Sequence, residues 1–267
     1  MKLKFICLAS GSSGNCFYLG TDSYGILIDA GIPVRTIKGA LKDVGLDFDR
    51  VMGVFVTHDH ADHIKSLGTL GEKYNIPIYA TRATHVGINK NYCMTQKLVS
   101  CMRYVEKDEA LKFRDFEITP FEVPHDGNDN VGYFIECEGK CFCFITDIGH
   151  ITDTVAAYIA RANYLILEAN YDEEMLLRGP YPQYLKERIM GPNGHLSNRA
   201  AAQFLAANFT EHLKYVWLCH LSRENNHPEL AYKTVEWELR GVGIIPGKDF
   251  YMAALKRTTP SELFEFE

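Results

Sequence analysis

The chain has 267 residues, 46% hydrophobic and 23% charged, ordinary proportions for a globular protein with a sizeable core. The net charge of -6, from 28 basic and 34 acidic residues, disfavours avid, non-specific attachment to nucleic acid through a basic surface. No apolar run approaches the ~20 residues a membrane span needs. The eight scattered cysteines contain no C-x-x-C pair, which excludes a zinc ribbon or dithiol redox motif.

The first residues, Met-Lys-Leu-Lys-Phe-Ile-Cys-Leu-Ala, begin like a signal peptide, but the apolar stretch stops at Ala9 before a Gly/Ser turn. A first strand over 3–9 and a cytoplasmic, membrane-free protein with reduced thiols are therefore expected. Short strands follow at 16–20 and 25–29, a helix at 34–44 and a buried strand at 51–56. A helix over 64–74 and a strand at 77–80 come next, while 81–102 reads as either helix or loop. Strands are predicted at 103–106, 110–113 and 116–123, and a hairpin joins 131–138 to 140–146. A helix over 151–161 leads into a strand at 164–167. The helical stretch 172–190 is broken by Gly179-Pro180-Tyr181-Pro182. Helix 197–208, strand 215–219, helix 228–239 and strand 249–255 complete the pattern. With no repeat or linker-like tract, residues 1–267 are expected to form a single domain. Two β-rich blocks, each running into strand–helix alternation, fit an α/β fold of two sheets with helices outside.

The densest chemistry lies directly behind the strand at 51–56, in Thr57-His58-Asp59-His60-Ala61-Asp62-His63. Imidazole and carboxylate clustered at a strand's end have the composition of a metal site. His58 and His60, two apart, point the same way in extended backbone and can share one cation. Asp62 and His63 are aimed elsewhere as the chain turns, towards a second.

This H-x-H-x-D-H pattern resembles the second of five metal-binding motifs in the metallo-β-lactamase superfamily, and the other four occur in order. Asp29, in Ile28-Asp29-Ala30-Gly31, matches a carboxylate that orients a ligand histidine, or caps a turn. His125, in Val123-Pro124-His125-Asp126, matches the third motif. Asp147, in Ile145-Thr146-Asp147, matches a carboxylate that bridges two cations, and His220, in Leu218-Cys219-His220-Leu221-Ser222, matches the fifth. The resemblance implies a four-layer αβ/βα sandwich, its two mixed sheets packed face to face with helices outside. It also implies two divalent metal ions, zinc or manganese with iron as a third option. His58, His60 and His125 would hold one ion and Asp62, His63 and His220 the other, with Asp147 bridging and water activated between them.

Two further elements resemble the nucleases of this superfamily. In Gly194-His195-Leu196-Ser197-Asn198, His195 would protonate the leaving oxygen or cap a helix. In Leu167-Glu168-Ala169-Asn170, Glu168 would hydrogen-bond that histidine and favour its acid form, or cap a helix. Together with Ser10-Gly11-Ser12-Ser13-Gly14-Asn15, Pro124-His125-Asp126, Glu168-Ala169-Asn170-Tyr171-Asp172 and His220-Leu221-Ser222-Arg223-Glu224-Asn225-Asn226, these elements are similar to the YycJ-type (WalJ) branch.

That similarity implies a 5′-to-3′ DNA exonuclease linked to repair, with Asp62, His195 and Glu168 as catalytic residues. Ser10, Ser12, Asn15, Ser197, Asn198 and Asn226 are candidate substrate contacts. The acidic net charge does not oppose this, because bound cations reverse the local sign. The Gly/Ser loop is equally a phosphate cradle or a tight turn. Arg178, Tyr181, Tyr184, Lys186 and Arg188 either track a nucleic-acid strand or form a solvated helix face. His150, His85 and His212 fit local structural or surface positions, and His227 stays open. A small-molecule hydrolase of the same fold, cleaving a thioester, lactone or cyclic phosphodiester, is the alternative, as is a non-enzymatic metal-bound signalling module.

Overall fold

The computed structural model describes residues 2–267. In chain order its elements are β1 (Leu3–Ala9), β2 (Cys16–Gly20), β3 (Gly25–Ile28), α1 (Val34–Asp43), β4 (Val51–Phe55), α2 (Ala61–Ile64), β5 (Ile78–Ala80), α3 (Arg82–Lys90) and β6 (Met102–Tyr104). There follow β7 (Leu111–Phe113), β8 (Phe116–Glu122), β9 (Val131–Cys137), β10 (Lys140–Ile145), α4 (Asp153–Arg161), β11 (Tyr164–Glu168), α5 (Glu173–Arg178) and α6 (Gln183–Met190). The last are α7 (Asn198–Asn208), β12 (Tyr215–Cys219), α8 (Pro228–Gly241), β13 (Tyr251–Ala254) and β14 (Phe264–Phe266).

The described residues form two mixed seven-stranded sheets, ordered β14-β1-β2-β3-β4-β5-β6 and β13-β12-β11-β10-β9-β8-β7. Each lies in its own compact unit. The first comprises the residues up to Glu106 together with Gly127–Asp129 and Lys256–Glu267, and the second comprises Lys107–Asp126 and Asn130–Leu255.

In the first unit β3, β4, β5 and β6 run parallel, so each crossover leaves a loop at the carboxyl ends of the strands. Leu27, Val54, Val56 and Ile78 pack with Ile37 and Leu41 of α1. In the second unit Leu165, Leu167, Val216 and Leu218 pack with Val155 and Ile159 of α4, Leu205 of α7, and Val235 and Leu239 of α8. Alternation along each strand sends the intervening residues to the opposite face.

There an aromatic ladder crosses four parallel strands. Phe142, Tyr164, Tyr215 and Tyr251 are direct register partners, with successive ring centroids 4.3, 5.5 and 5.2 Å apart. Trp217, fully buried, stacks on Tyr215 at 5.3 Å. Such cross-strand pairs fix register, and a one-residue slip would turn every side chain to the wrong face. The ladder therefore also fixes which residues emerge at the carboxyl ends of β10, β11 and β12.

The helix expected over 64–74 is a correction. The chain instead forms α2 and a separate wide π-type turn at Thr69–Lys73. The cause is long-range. Gly71 lies so close to Cys101 that a Cβ would sit 2.3 Å from its Sγ. The Glu72 carboxylate accepts hydrogen bonds from the amides of Val99 (2.7 Å) and Ser100 (3.0 Å). Those amides, with the Cys101 thiol, hold the Glu72 carboxyl down at about 2. The stretch 81–102 resolves into α3 and an irregular loop, and β14 is an element the sequence did not signal. Truncating Trp217 to Ala is expected to destabilise the protein by about 3–5 kcal/mol, read as a lower urea midpoint with an unchanged slope.

Candidate metal centre

Each unit carries candidate metal donors of its own. In the first, β4 leads through Val56 and Thr57 into His58-Asp59-His60, and α2 begins at Ala61, placing Asp62 and His63 in its first turn. The His58 ring lies 4.6 Å from that of His60 and 4.1 Å from that of His63.

Asp29 orders this cluster from the end of the neighbouring strand β3. Fully buried, its Oδ1 accepts the Thr57 amide at 2.8 Å, and its Oδ2 accepts the Thr57 hydroxyl at 2.8 Å. Nδ1 of His63 donates to the same Oδ2 at 2.7 Å. The Thr57 hydroxyl, its proton given to Asp29, accepts from Nδ1 of His58 at 3.0 Å. Both imidazoles are thereby fixed with Nδ1 protonated, and Nε2 keeps the lone pair that ligates a cation. Asp29 takes a left-handed backbone conformation with φ 59°, a strain of order 1 kcal/mol held by these bonds. That conformation ends β3 at Ile28, one residue before the predicted end of the strand.

The Gly/Ser loop braces the same turn. Asn15 donates from Nδ2 to Oδ2 of Asp62 at 3.2 Å and lies 3.0 Å from Nε2 of His63. Its Oδ1 accepts the Gly11 amide at 2.9 Å. The amides of Asn15 and Ala30 donate to the carbonyls of Asp62 and His63 at 2.8 Å each. Gly31 passes so close that a Cβ there would sit 1.6 Å from the Asp62 carbonyl oxygen.

In the second unit, Asp147, Glu168 and His220 stand at the carboxyl ends of the neighbouring parallel strands β10, β11 and β12, where α/β folds collect function. Glu168 is fully buried and saturated. Its Oε1 accepts from Nδ1 of His195 at 2.7 Å and Nδ1 of His220 at 2.9 Å. Its Oε2 accepts the amides of Ile148 at 2.8 Å and Leu196 at 3.1 Å.

His220 shares its Nδ1 proton with Oδ1 of Asp147, also at 2.9 Å. Its backbone, φ 52°, is left-handed, and its carbonyl accepts from Asn170 Nδ2 at 2.8 Å. Asp147, Glu168, His195 and His220 each offer a donor atom within 4.8 Å of the others. His125 donates from Nδ1 to the Gly194 carbonyl at 2.8 Å, and its Nε2 lies 3.5 Å from Asp126 and 3.8 Å from Asp147.

Burial alone would strip the proton from His195. The charge and hydrogen bond of Glu168, aided by Asp147, outweigh it and raise the His195 pKa above the ordinary histidine value. Burial likewise works against the Glu168 carboxylate, and His195 and His220 overcome it, lowering its pKa.

The candidate substrate contacts fall into two groups. Ser12 is exposed, whereas Ser10 is fully buried. Asn15 is buried against Gly11 and Asp62, which makes it a positioning residue. Ser197 caps α7, accepting from the Ala200 amide and donating to Glu173, both at 3.1 Å. Asn198 and Asn226 exchange side-chain hydrogen bonds at 2.9 Å each, and Asn226 also donates to the carbonyls of Ala169 and Asn170. These bonds brace the segment that follows Glu168.

In the stretch 178–188 the cations are engaged within the protein. Arg178 pairs with Glu174 at 2.6 Å, Arg188 with Asp126 at 2.5 Å, and Lys186 donates to the Leu177 carbonyl at 2.7 Å. His150 donates from Nδ1 to the Pro192 carbonyl at 2.8 Å, His212 donates from Nε2 to the Ala160 carbonyl at 2.9 Å, and His85 is buried beside the Arg103 carbonyl. His227 caps α8. Sequence reasoning missed Thr57 and the Asp126–Arg188 pair; both lie in or beside quoted motifs, but nothing in the spacing of residues signals their partners.

The donor set fits divalent cations. His58, His63, His125 and His220 each have Nδ1 held by a hydroxyl, carboxylate or carbonyl, the arrangement that orients metal-ligating histidines. The family designated "Beta-lactamase superfamily domain" matches residues 24–216. The chain is 37% identical over 253 residues to exodeoxyribonuclease YycJ of Bacillus anthracis, covering 94% of each. It is 33% identical over 262 residues to exodeoxyribonuclease WalJ of Streptococcus pneumoniae, covering 98% of this chain and 97% of the relative. The crystal structure of the metallo-β-lactamase fold protein YhfI from Bacillus subtilis aligns over 100% of both chains with a TM-score of 0.72 at 16% identity, a likeness of fold.

Fold and donors thus define a metal-dependent hydrolase of the α/β metallo-β-lactamase type. The chain belongs to the β-lactamase superfamily and, within it, to the branch of the YycJ and WalJ proteins. Gly31→Ala is expected to displace the Asp62 carbonyl and its turn, so metal analysis of the purified variant should show cation content below that of wild type.

Proposed function

We propose that the protein is a DNA exonuclease, acting from 5′ to 3′ in repair and working in the cytoplasm with its thiols reduced. The carrying observation is the 2.7 Å contact between His195 and the buried carboxylate Glu168, in a chain whose relatives over nearly their whole length are exodeoxyribonucleases. The five metal motifs in sequence order support two cations, zinc or manganese, with His58, His60 and His125 on one, Asp62, His63 and His220 on the other, and Asp147 between. Residues 1–267 would act as one hydrolase domain. In support, the chain crosses between the two compact units more than once, and a single family match at 24–216 draws on both.

When bound, the cations supply positive charge for the developing phosphorane and lower the pKa of a water towards ~7. The protein's own residues do the rest. Asp29 and Thr57 hold His63 and His58 in the tautomer that leaves Nε2 as donor. Glu168 keeps the proton of His195 on Nδ1 and raises the ring's pKa, so that Nε2–H can be given to the oxygen leaving phosphorus. The same carboxylate holds His220, which couples the acid to the metal donors.

Metal-free protein reloaded separately with zinc and manganese is expected to degrade end-labelled DNA from the 5′ end. Asp62→Ala and His63→Ala should abolish this. Cleavage of thioesters, lactones or cyclic nucleotides with none of DNA would overturn the reading. His195→Ala is expected to lower kcat by roughly 10²–10⁴-fold with metal content retained; an unchanged kcat would remove His195 from the mechanism.

A further inference from the structure

The irregular segment after α3 is pinned almost residue by residue. Asn91 donates from Nδ2 to the carbonyl of Asp59 at 2.8 Å, the residue between His58 and His60, and its Oδ1 accepts the Cys93 amide at 3.0 Å. Met94 and Leu98 are buried. Asn89 clasps Leu98 through both its amide (2.8 Å) and its carbonyl (2.9 Å). The backbone at Gln96 approaches Gly68 so closely that a Cβ on Gly68 would sit 2.3 Å from the Gln96 carbonyl oxygen.

Out of this fixed loop Tyr92 projects with 91% of its surface exposed. A large aromatic ring held in water on an immobilised backbone buries nothing within its own chain, so its contribution to folding is small.

The same loop carries Lys97 and is tied to the His58–His63 stretch through the Asn91–Asp59 bond. Lys65 and Lys97 are exposed, and among the described residues neither pairs with a carboxylate; Lys65 donates to the Ser13 carbonyl of the Gly/Ser loop at 2.9 Å. Asn91, the residue before Tyr92, is bonded to Asp59, and Asp62 and Lys65 lie in the helical turn that follows. An exposed aromatic face on a loop that carries one exposed lysine and is tied to the His-rich stretch suits a single strand, stacking a base while lysines neutralise its phosphates.

We propose that Tyr92 stacks on an unpaired nucleobase of the DNA strand being degraded, while Lys65 and Lys97 hold that strand's phosphates. This rests on the nuclease reading above and adds the surface that receives the strand. Because stacking needs a bare base face, duplexes with a single-stranded overhang should be preferred to blunt ones.

The test is anisotropy of a fluorescent single-stranded oligothymidylate, with wild type, Tyr92→Ala, Tyr92→Phe and Lys97→Ala, alongside exonuclease assays. Tyr92→Ala is expected to weaken binding roughly 5- to 100-fold and to raise KM without a matching fall in kcat, at unchanged metal content and melting temperature. Tyr92→Phe, which keeps the ring, should bind within about twofold of wild type. Lys97→Ala should lower the slope of log affinity against log salt by about one. Wild-type binding and cleavage with an undiminished Tyr92→Ala would overturn the stacking role alone. Wild type that neither binds nor degrades DNA would overturn the nuclease reading, and this proposal with it.

Discussion

An imidazole makes a directed metal ligand only when its second nitrogen is held, and two buried carboxylates do that holding here. Asp29 fixes His63 directly and His58 through the Thr57 hydroxyl. Glu168 fixes His220 and His195 with a single oxygen, its other oxygen tied to two backbone amides. Removing either carboxylate would leave rings free to turn, and the histidines it holds would lose their aim together. A buried carboxylate without donors would be costly. Each is stable because the histidines and amides it orients also satisfy it.

The rest of the fold serves to deliver these groups. Asp29 ends one parallel strand and the His58–His63 turn follows its neighbour, with the Gly/Ser loop clasped against both. In the other unit Asp147, Glu168 and His220 end three adjacent strands whose register is locked by the ladder Phe142, Tyr164, Tyr215 and Tyr251. Apolar and aromatic residues far from any chemistry therefore decide which polar residues surface at the strand ends. The two non-glycine left-handed residues at those ends, Asp29 and His220, are both held by hydrogen bonds to neighbours in the same unit.

Much of this was legible in the sequence. The H-x-H-x-D-H stretch carries its chemistry in consecutive residues, and β2 and β12 begin and end where their apolar runs do. The Glu168–His195 pair followed from family resemblance and is present at 2.7 Å. What sequence could not supply is whatever depends on distant partners. The helix expected over 64–74 gives way to a wide turn because Glu72 is claimed by the amides of Val99 and Ser100. The three-residue strand β14 exists only through its pairing with β1. Asn198 and Asn226 are polar motif residues by sequence, yet in the fold they are buried and bonded to each other.

If divalent cations are held by histidines that these carboxylates orient, occupancy of the ions must depend on both carboxylates. The most direct measurement is anomalous diffraction at the zinc and manganese edges from crystals of metal-loaded protein, with Asp29→Ala and Glu168→Ala variants treated alike. The expected result is two ions per wild-type chain, bound through Nε2 of His58, His63, His125 and His220, with occupancy falling in both variants. Ions bound elsewhere, or wild-type occupancy undiminished when either carboxylate is removed, would contradict it.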